Sequence, residues 1–271
     1  MIIVDGNNLA WRNVWVLKEQ GFSAILNSFL RTLILLEQRH DDIDLCLVWD
    51  TGCYKRRELY PGYKVSKEEM PEKEKVIKFI DSLRKVMEFV SPPCYYSEWE
   101  ADDTIATLVR RNSSEPIVVV SSDEDLLGLI SRTCKIDRHP GIRDFDWFWH
   151  EHMFDPKLWV WVKTSVGCSS DAVPGIKYLN RKRLYSVIAD MSRSELQGLL
   201  DSVTKNEPTW RLKFDQDILR RNYELVRLRD NVELQQVNQV DFGELRNHLE
   251  ECGGVGSDTM GLIARFLERR R

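Results

Sequence analysis

Hydrophobic positions along this chain fall into two rhythms. Short unbroken apolar runs, Ile2-Ile3-Val4, Leu45-Cys46-Leu47-Val48-Trp49, Cys94-Tyr95-Tyr96 and Ile117-Val118-Val119-Val120, read as strands buried on both faces. Between them, apolar residues recur at helical spacing: Ile25, Leu26, Phe29, Leu33 and Leu36 within Phe22 to Leu36, then Ala101, Ile105, Leu108 and Val109. A Glu/Lys-rich helix is expected from about Pro71 to Val90, and the chain beyond Leu184 reads as helices with apolar spacing, for example Leu219, Tyr223, Val226 and Leu228. Strands alternating with helices predict an α/β protein with a mostly parallel central sheet covered on both faces.

The polar residues that break this pattern are acidic and regularly placed. Asp5 ends the first apolar run, Asp50 the second, and Asp123 and Asp125 follow the last. Glu100, Asp102 and Asp103 open the helix after Cys94-Tyr95-Tyr96, where Glu100 and Asp103, three apart, should stand together away from its apolar face. Acidic residues in a first helical turn also suit the helix dipole and need no other purpose. In an open α/β sheet, however, ligands bind at the carboxyl ends of the strands, so these clusters should converge on one edge. Carboxylates so crowded stay ionised only around cations. All-oxygen ligation selects Mg²⁺ or Mn²⁺, and phosphoester hydrolysis is the chemistry that most often uses such ions in pairs.

Composition adjusts this picture. With 271 residues, 42% hydrophobic, nine Trp and ten Phe, the chain has ample material for a packed core. Its net charge of −4 argues at first against a nucleic-acid partner. If eight carboxylates serve as ligands, the 39 basic side chains outnumber the rest of the 43 acidic ones, and the remaining surface is mildly basic. The six cysteines are scattered without a CxxC pair, which suits a reducing cytosol. Met1 leads directly into a strand, with no signal-type leader and no apolar run of membrane-spanning length, so a cytoplasmic protein without a membrane partner is expected.

Three further stretches carry candidate chemistry. Arg56, Lys64 and Lys67 lie just after Asp50 and could hold a phosphate near the carboxylates, while Tyr60 and Tyr63 offer faces for bases; a solvated charged helix face is the alternative. The aromatic-dense span 141–162 reads as core packing, with His150 and His152 as exposed bystanders. A Gly/Pro-punctuated loop, Val166 to Ile176, precedes the basic cluster Lys177, Arg181, Lys182 and Arg183, where backbone N–H groups could meet a phosphate.

In order, these pieces resemble the flap-endonuclease-type 5′ nucleases, a family that includes bacteriophage 5′-3′ exonucleases and the N-terminal nuclease domain of bacterial DNA polymerase I. The resemblance rests on Asp5-Gly6-Asn7-Asn8, Trp49-Asp50, the segment Arg56 to Lys64, and Glu100-Ala101-Asp102-Asp103-Thr104-Ile105-Ala106, close to an EADDxIA signature. It extends to Ser122-Asp123-Glu124-Asp125-Leu126 and to Gly167 through Gly175, which is similar to GDxSDNIPG.

This resemblance implies a PIN-like sheet with a helical arch over about 64–98, a nuclease domain at 1–164, and a helical region at 165–271 with a helix-hairpin DNA-binding motif. It implies a divalent-metal-dependent 5′-3′ exonuclease or flap endonuclease acting on DNA with 5′ ends, flaps or single-strand/duplex junctions. Asp5, Asp50, Glu100, Asp102 and Asp103 would hold one ion and Asp123, Asp125 and Asp171 another, with Asp102 or Asp103 near both. Arg56 and Lys64 would contact the scissile phosphate. Arg12, Tyr60, Tyr63, Lys67, Lys177, Arg181, Lys182 and Arg183 would contact DNA. A monomer working beside a replication polymerase in a bacterial or phage-infected cell completes the expectation.

Two departures stand out. Cys168 occupies the place of a family aspartate, and a sulfur ligand suits Mg²⁺ poorly, so the second ion site should be weakened. Tyr178 and Asn180 replace hairpin glycines. A junction-binding protein with weakened catalysis and a PIN-type ribonuclease are the rival readings. An aspartyl phosphatase is disfavoured because Asn7 stands where its DxD motif needs a second acid.

Overall fold

The computed structural model describes residues 1–41, 43–65, 71–90, 93–138, 140–177, 179–204, 216–237 and 241–268. Its strands are β1 (Ile2–Asp5), β2 (Leu45–Val48), β3 (Cys94–Tyr96), β4 (Ile117–Val120), β5 (Cys134–Arg138), β6 (Gly141–Arg143), β7 (Gly167–Cys168), β8 (Val173–Pro174) and β9 (Gln235–Val237). Its helices are α1 (Gly6–Leu17), α2 (Phe22–Arg39), α3 (Tyr54–Leu59), α4 (Pro71–Val90), α5 (Ala101–Arg111), α6 (Phe145–His152), α7 (Trp159–Val166), α8 (Arg181–Ala189), α9 (Arg193–Thr204), α10 (Gln216–Val226), α11 (Phe242–Glu251) and α12 (Ser257–Glu268). None of the described helices is long and apolar enough to cross a membrane.

The main sheet runs in the order β6-β5-β4-β1-β2-β3-β9, with β1 to β5 mutually parallel and antiparallel strands at both edges. This is the mostly parallel α/β architecture expected from the apolar runs. Successive residues of each run serve opposite faces, as strand geometry requires. Ile2, Val4, Leu45, Leu47 and Val118 pack with α1, α2, α4, α11 and α12, whereas Ile3, Cys46, Val48 and Val119 pack with α5 and α7. Two apolar layers therefore clamp one sheet whose central strands end together.

Helix α1 begins directly at Gly6, immediately after β1. A Cβ at Gly6 would lie 2.8 Å from the ring of Trp49, which is fully buried. Glycine at this position lets the indole close over the junction of strand and helix.

Within the 64–98 span, expected as a helical arch, α4 buries Val76, Ile80, Leu83, Val86, Met87, Phe89 and Val90 against its neighbours, including α1 and α11. Lifting a helix that buries seven apolar side chains would cost on the order of 1.5–3 kcal/mol for each. Helix α4 is thus a fixed wall, and Lys67 lies outside the described residues. Contacts cross the boundary expected at 164/165: β9 extends the main sheet beside β3, and α11 and α12 pack into the core with α2 and α4. Amphipathic helices do not announce their partners in sequence, and the C-terminal chain returns to the first domain's core.

Candidate metal and nucleic-acid site

The carboxyl edge of the sheet gathers acidic side chains from successive strand ends. Asp5, the last residue of β1, caps α1 by accepting from the Asn8 N–H at 3.0 Å and takes a second hydrogen bond from the Ser121 hydroxyl at 2.8 Å. Burial pushes its carboxyl up to about 6; these two hydrogen bonds oppose the shift, and the charges of Asp123 and Asp50 add to it. Asp50 accepts from the Gly52 N–H at 2.8 Å, while its own N–H donates to the Asn7 side chain at 3.1 Å. Burial also raises Asp50, with Glu100 reinforcing and Lys64 opposing.

Asp102 stands in the first turn of α5. Burial lifts its carboxyl well above the ordinary range, and Asp123, Asp5 and Asp125 push in the same direction. Asp123 and Asp125 follow β4 and are linked by a 2.8 Å bond from the Asp125 N–H to the Asp123 carboxylate. Asn8 reaches across the sheet edge to accept from the N–H and hydroxyl of Ser122, at 3.1 and 2.9 Å. Asn7, Asn8 and Ser121 thus tie the ends of β1, β2 and β4 together. Sequence reasoning gave none of the three a role in tying these ends together; their signal was adjacency to the aspartates.

These donors suit a hard dication. Asp5, Asp50, Asp102 and Asp123 are oxygen ligands whose mutual repulsion and burial a divalent ion would offset. Asp5, Asp50 and Asp102 are the members of the expected first set that remain open to one.

The other two expected members, Glu100 and Asp103, point elsewhere. Arg56, 3% exposed, directs Nη1 to Glu100 at 2.5 Å and to Asp103 at 2.6 Å, and Nη2 to Asp103 at 2.9 Å. Its Nε donates to the Leu225 carbonyl at 2.8 Å and Nη2 also to the Arg227 carbonyl at 3.2 Å. All five guanidinium N–H groups are engaged, so none is left for a substrate phosphate. Asp103, fully buried, takes a further bond from the Arg229 N–H at 2.8 Å. Glu100 accepts from the Tyr63 hydroxyl at 3.0 Å and pairs with Lys64. Burial works against its charge, but Arg56 and Lys64 hold Glu100 below the usual carboxylate range. Arg56, expected at the phosphate, and Asp103, expected at the ion, here belong to a buried ion-pair lattice. Tyr63, 4% exposed, has no face free for a base.

A third group lies at the β7–β8 ladder. Oxygens of Asp125 and Asp171 and the sulfur of Cys168 come within 4.8 Å of one another. Lys163, from the last turn of α7, pairs with Asp125 and lies 3.7 Å from the sulfur. Burial raises the Cys168 thiol, while its 2.9 Å contact with the Ser170 hydroxyl opposes the rise. Burial pushes Asp125 up to about 6, against the pull of Lys163. Lys163 is 7% exposed and escaped sequence reasoning; a lone cation in an apolar helix was the available signal. Lys64 joins this group through its N–H, which donates to the Asp171 carbonyl at 2.9 Å, and its ammonium stands 4.0 Å from the Asp171 carboxylate.

Among the remaining basic candidates, Arg12, Lys177, Lys182 and Arg183 are exposed. Arg181 pairs with Glu124 at 2.9 Å and lies over the Trp159 ring, and Tyr60 is partly covered by Arg221. The loop before α8 is tightly crossed: a Cβ at Gly175 would lie 2.0 Å from the Val166 carbonyl oxygen, so only glycine fits. Asn180, at a position where the resemblance expects glycine, caps α8 by accepting from the Arg183 N–H at 2.9 Å. Tyr178 lies outside the described residues. In the aromatic span, Phe148, Phe154, Trp159 and Trp161 are buried as expected. His152 is no exposed bystander: its ring packs 4.4 Å from that of Phe148 and 5.1 Å from that of Trp159, and burial lowers its pKa.

Comparison with known proteins follows the same lines. A family model described as "5′-3′ exonuclease, N-terminal resolvase-like domain" matches residues 1–155. The thermostable DNA polymerase I of Thermus thermophilus is 27% identical over 267 residues, which cover 92% of this chain and 32% of the polymerase. The chain thus spans about a third of the length of the polymerases it matches. Flap endonuclease Xni of Shewanella amazonensis is 27% identical over 254 residues, 86% of this chain and 94% of Xni. The 5′-3′ exonuclease of Bacillus subtilis is 28% identical over 207 residues, 70% of each chain. In fold, the zinc-bound T5 5′-exonuclease superposes with a TM-score of 0.67 at 17% identity, covering 99% of this chain and 98% of its own. The catalytic core of Rad2 in complex with DNA gives 0.54 at 15% identity, covering 98% and 91%.

Proposed function

The chain belongs to the 5′-3′ exonuclease family, and on that premise we propose that it is a divalent-metal-dependent 5′ nuclease, hydrolysing DNA phosphodiesters near 5′ ends, flaps or junctions. The observation that carries this reading is the convergence of Asp5, Asp50, Asp102 and Asp123 at one sheet edge, with Asp5, Asp50 and Asp102 held above their ordinary pKa values. A Mg²⁺ or Mn²⁺ ion held there would activate water and polarise the phosphodiester.

The protein's own groups supply the rest. Lys64 is the cation at this edge whose side chain keeps 35% of its surface open, so it meets the phosphate that Arg56 cannot reach. Arg56 instead sets the orientation of Glu100 and Asp103 and, through the Leu225 and Arg227 carbonyls, fastens the end of α10 and the residue just beyond it to the site. The turn from α7 through the β7–β8 ladder into α8 serves as the helix-hairpin element, with Lys177, Lys182 and Arg183 exposed toward a duplex backbone. Such contacts are sequence-independent. A monomer acting in the cytoplasm beside a polymerase fits the polymerase relatives.

The test is cleavage of 5′-labelled flap, nicked and single-stranded DNA with Mg²⁺ or Mn²⁺, by the wild type and Asp102→Ala. Cleavage that Asp102→Ala abolishes is expected. No cleavage of any of these with either ion would overturn the reading, and faster cutting of matched RNA would transfer it to a PIN-type ribonuclease.

A further inference from the structure

Two acidic groups lie at this sheet edge, and their surroundings differ. Asp5 and Asp50 take their hydrogen bonds from neutral donors: the Asn8 N–H, the Ser121 hydroxyl and the Gly52 N–H. Among the described residues no lysine or arginine forms an ion pair with either carboxylate, although Lys64 and Arg56 act on Asp50 at longer range. Asp125 and Asp171 have lysines instead. Lys163 pairs with Asp125, and Lys64 stands 4.0 Å from Asp171. Two carboxylates approach within 4.8 Å of each other and of a sulfur at little cost only when a cation lies among them. Here the Lys163 ammonium, carried on α7, pairs with Asp125 and lies 3.7 Å from the sulfur.

We propose that the Lys163 ammonium takes the place of a second divalent ion, so that this chain binds a single ion, at the Asp5, Asp50 and Asp102 group. The inference rests on the functional reading above and deepens it. A divalent ion entering between Asp125 and Asp171 would have to displace a lysine that is 7% exposed, whose displaced charge would lack the carboxylate it now pairs with. It would also meet a poor donor set. Mg²⁺ requires near-octahedral oxygen ligation, whereas Cys168 offers a sulfur hydrogen-bonded to Ser170 at 2.9 Å. An added dication would also be repelled by the Lys163 ammonium that already pairs with Asp125. Cys168 and Lys163 thus fit together, since the shorter, uncharged thiol leaves room for the ammonium 3.7 Å away. The fixed monocation then stands beside the ion site, where it can offset charge on a phosphodiester without metal recruitment.

The experiment counts ions rather than turnover. Metal-free, full-length protein is titrated with Mn²⁺, and free Mn²⁺ is followed by electron paramagnetic resonance. Wild type, Lys163→Arg and Cys168→Asp should each bind one ion, because all retain the internal cation. Lys163→Met combined with Cys168→Asp should bind two. Circular dichroism melts verify that each variant is folded before the count. Two ions on the wild type would overturn this inference and leave the nuclease reading intact. Two on Cys168→Asp alone would show that the thiol, not Lys163, excludes the ion, and one on the folded double variant would show that Lys163 does not hold the position. Binding of no ion by any of the four would overturn the functional reading and this inference together.

Discussion

Arg56 grips Asp103 with both ends of its guanidinium, at 2.6 and 2.9 Å, and both side chains are almost wholly out of solvent. The pair joins the helix that follows Asp50 to the helix that carries Asp102. Removing one partner leaves a buried charge unpaired, a loss that typically costs about 3–5 kcal/mol. Arg56→Ala should therefore lower the stability of the metal-free protein by several kcal/mol in urea unfolding. Arg56→Lys, which cannot reproduce the bidentate pair, should restore little of it. A variant with unchanged stability and a pure loss of substrate affinity would instead return Arg56 to a phosphate-contacting role.

The raised carboxylates give a pH signature. Asp5 and Asp125 titrate in the fold at about 6, against a model-peptide value of 3.8, chiefly because they are buried. The folded state thus binds more protons than the unfolded chain between about pH 4 and 6, and metal-free stability from these groups falls as pH rises through that window. A dication bound beside Asp5 requires that carboxylate ionised. The rise in melting temperature on adding Mg²⁺ should therefore be small at pH 5 and large at pH 8, read by differential scanning fluorimetry. Equal rises at both values would contradict the carboxylate site.

At Gly6 the prediction is steric. An added methyl group would sit 2.8 Å from the buried Trp49 ring at the strand–helix junction that carries Asp5. Overpacking of this kind costs about 1–3 kcal/mol. Gly6→Ala should lower the melting temperature and weaken Mn²⁺ binding together, whereas Gly198→Ala, whose Cβ meets nothing within 4 Å, should do neither.

Salt dependence isolates the duplex contacts. Lys182 and Arg183 are exposed on the first turn of α8. If each meets one phosphate, alanine at either position should weaken binding to different duplex sequences alike and reduce the slope of log affinity against log salt by about one. Fluorescence anisotropy at several salt concentrations checks this, and an unchanged slope would remove that residue from the interface.

The sequence alone determined the parallel sheet and the placement of its acids. Ile2 to Val4, Leu45 to Val48 and Ile117 to Val120 are unbroken apolar runs because both faces of the central strands are covered, and the aspartates after them sit where such strands end. Convergence of Asp5, Asp50 and Asp123 followed from topology. Tertiary structure decided which acids remain available. Glu100 and Asp103 are as acidic in sequence as Asp102, but Arg56, about forty residues earlier, pairs with both, Lys64 adds a second cation at Glu100, and Asp102 is left beside Asp5 and Asp123. Lys163 likewise reads as one cation in an apolar helix until folding brings it to Asp125. The return of β9, α11 and α12 to the first core was equally hidden. Periodicity reports how much of an element is buried, whereas the identity of a partner across the fold is set by long-range packing and charge pairing that no local pattern encodes.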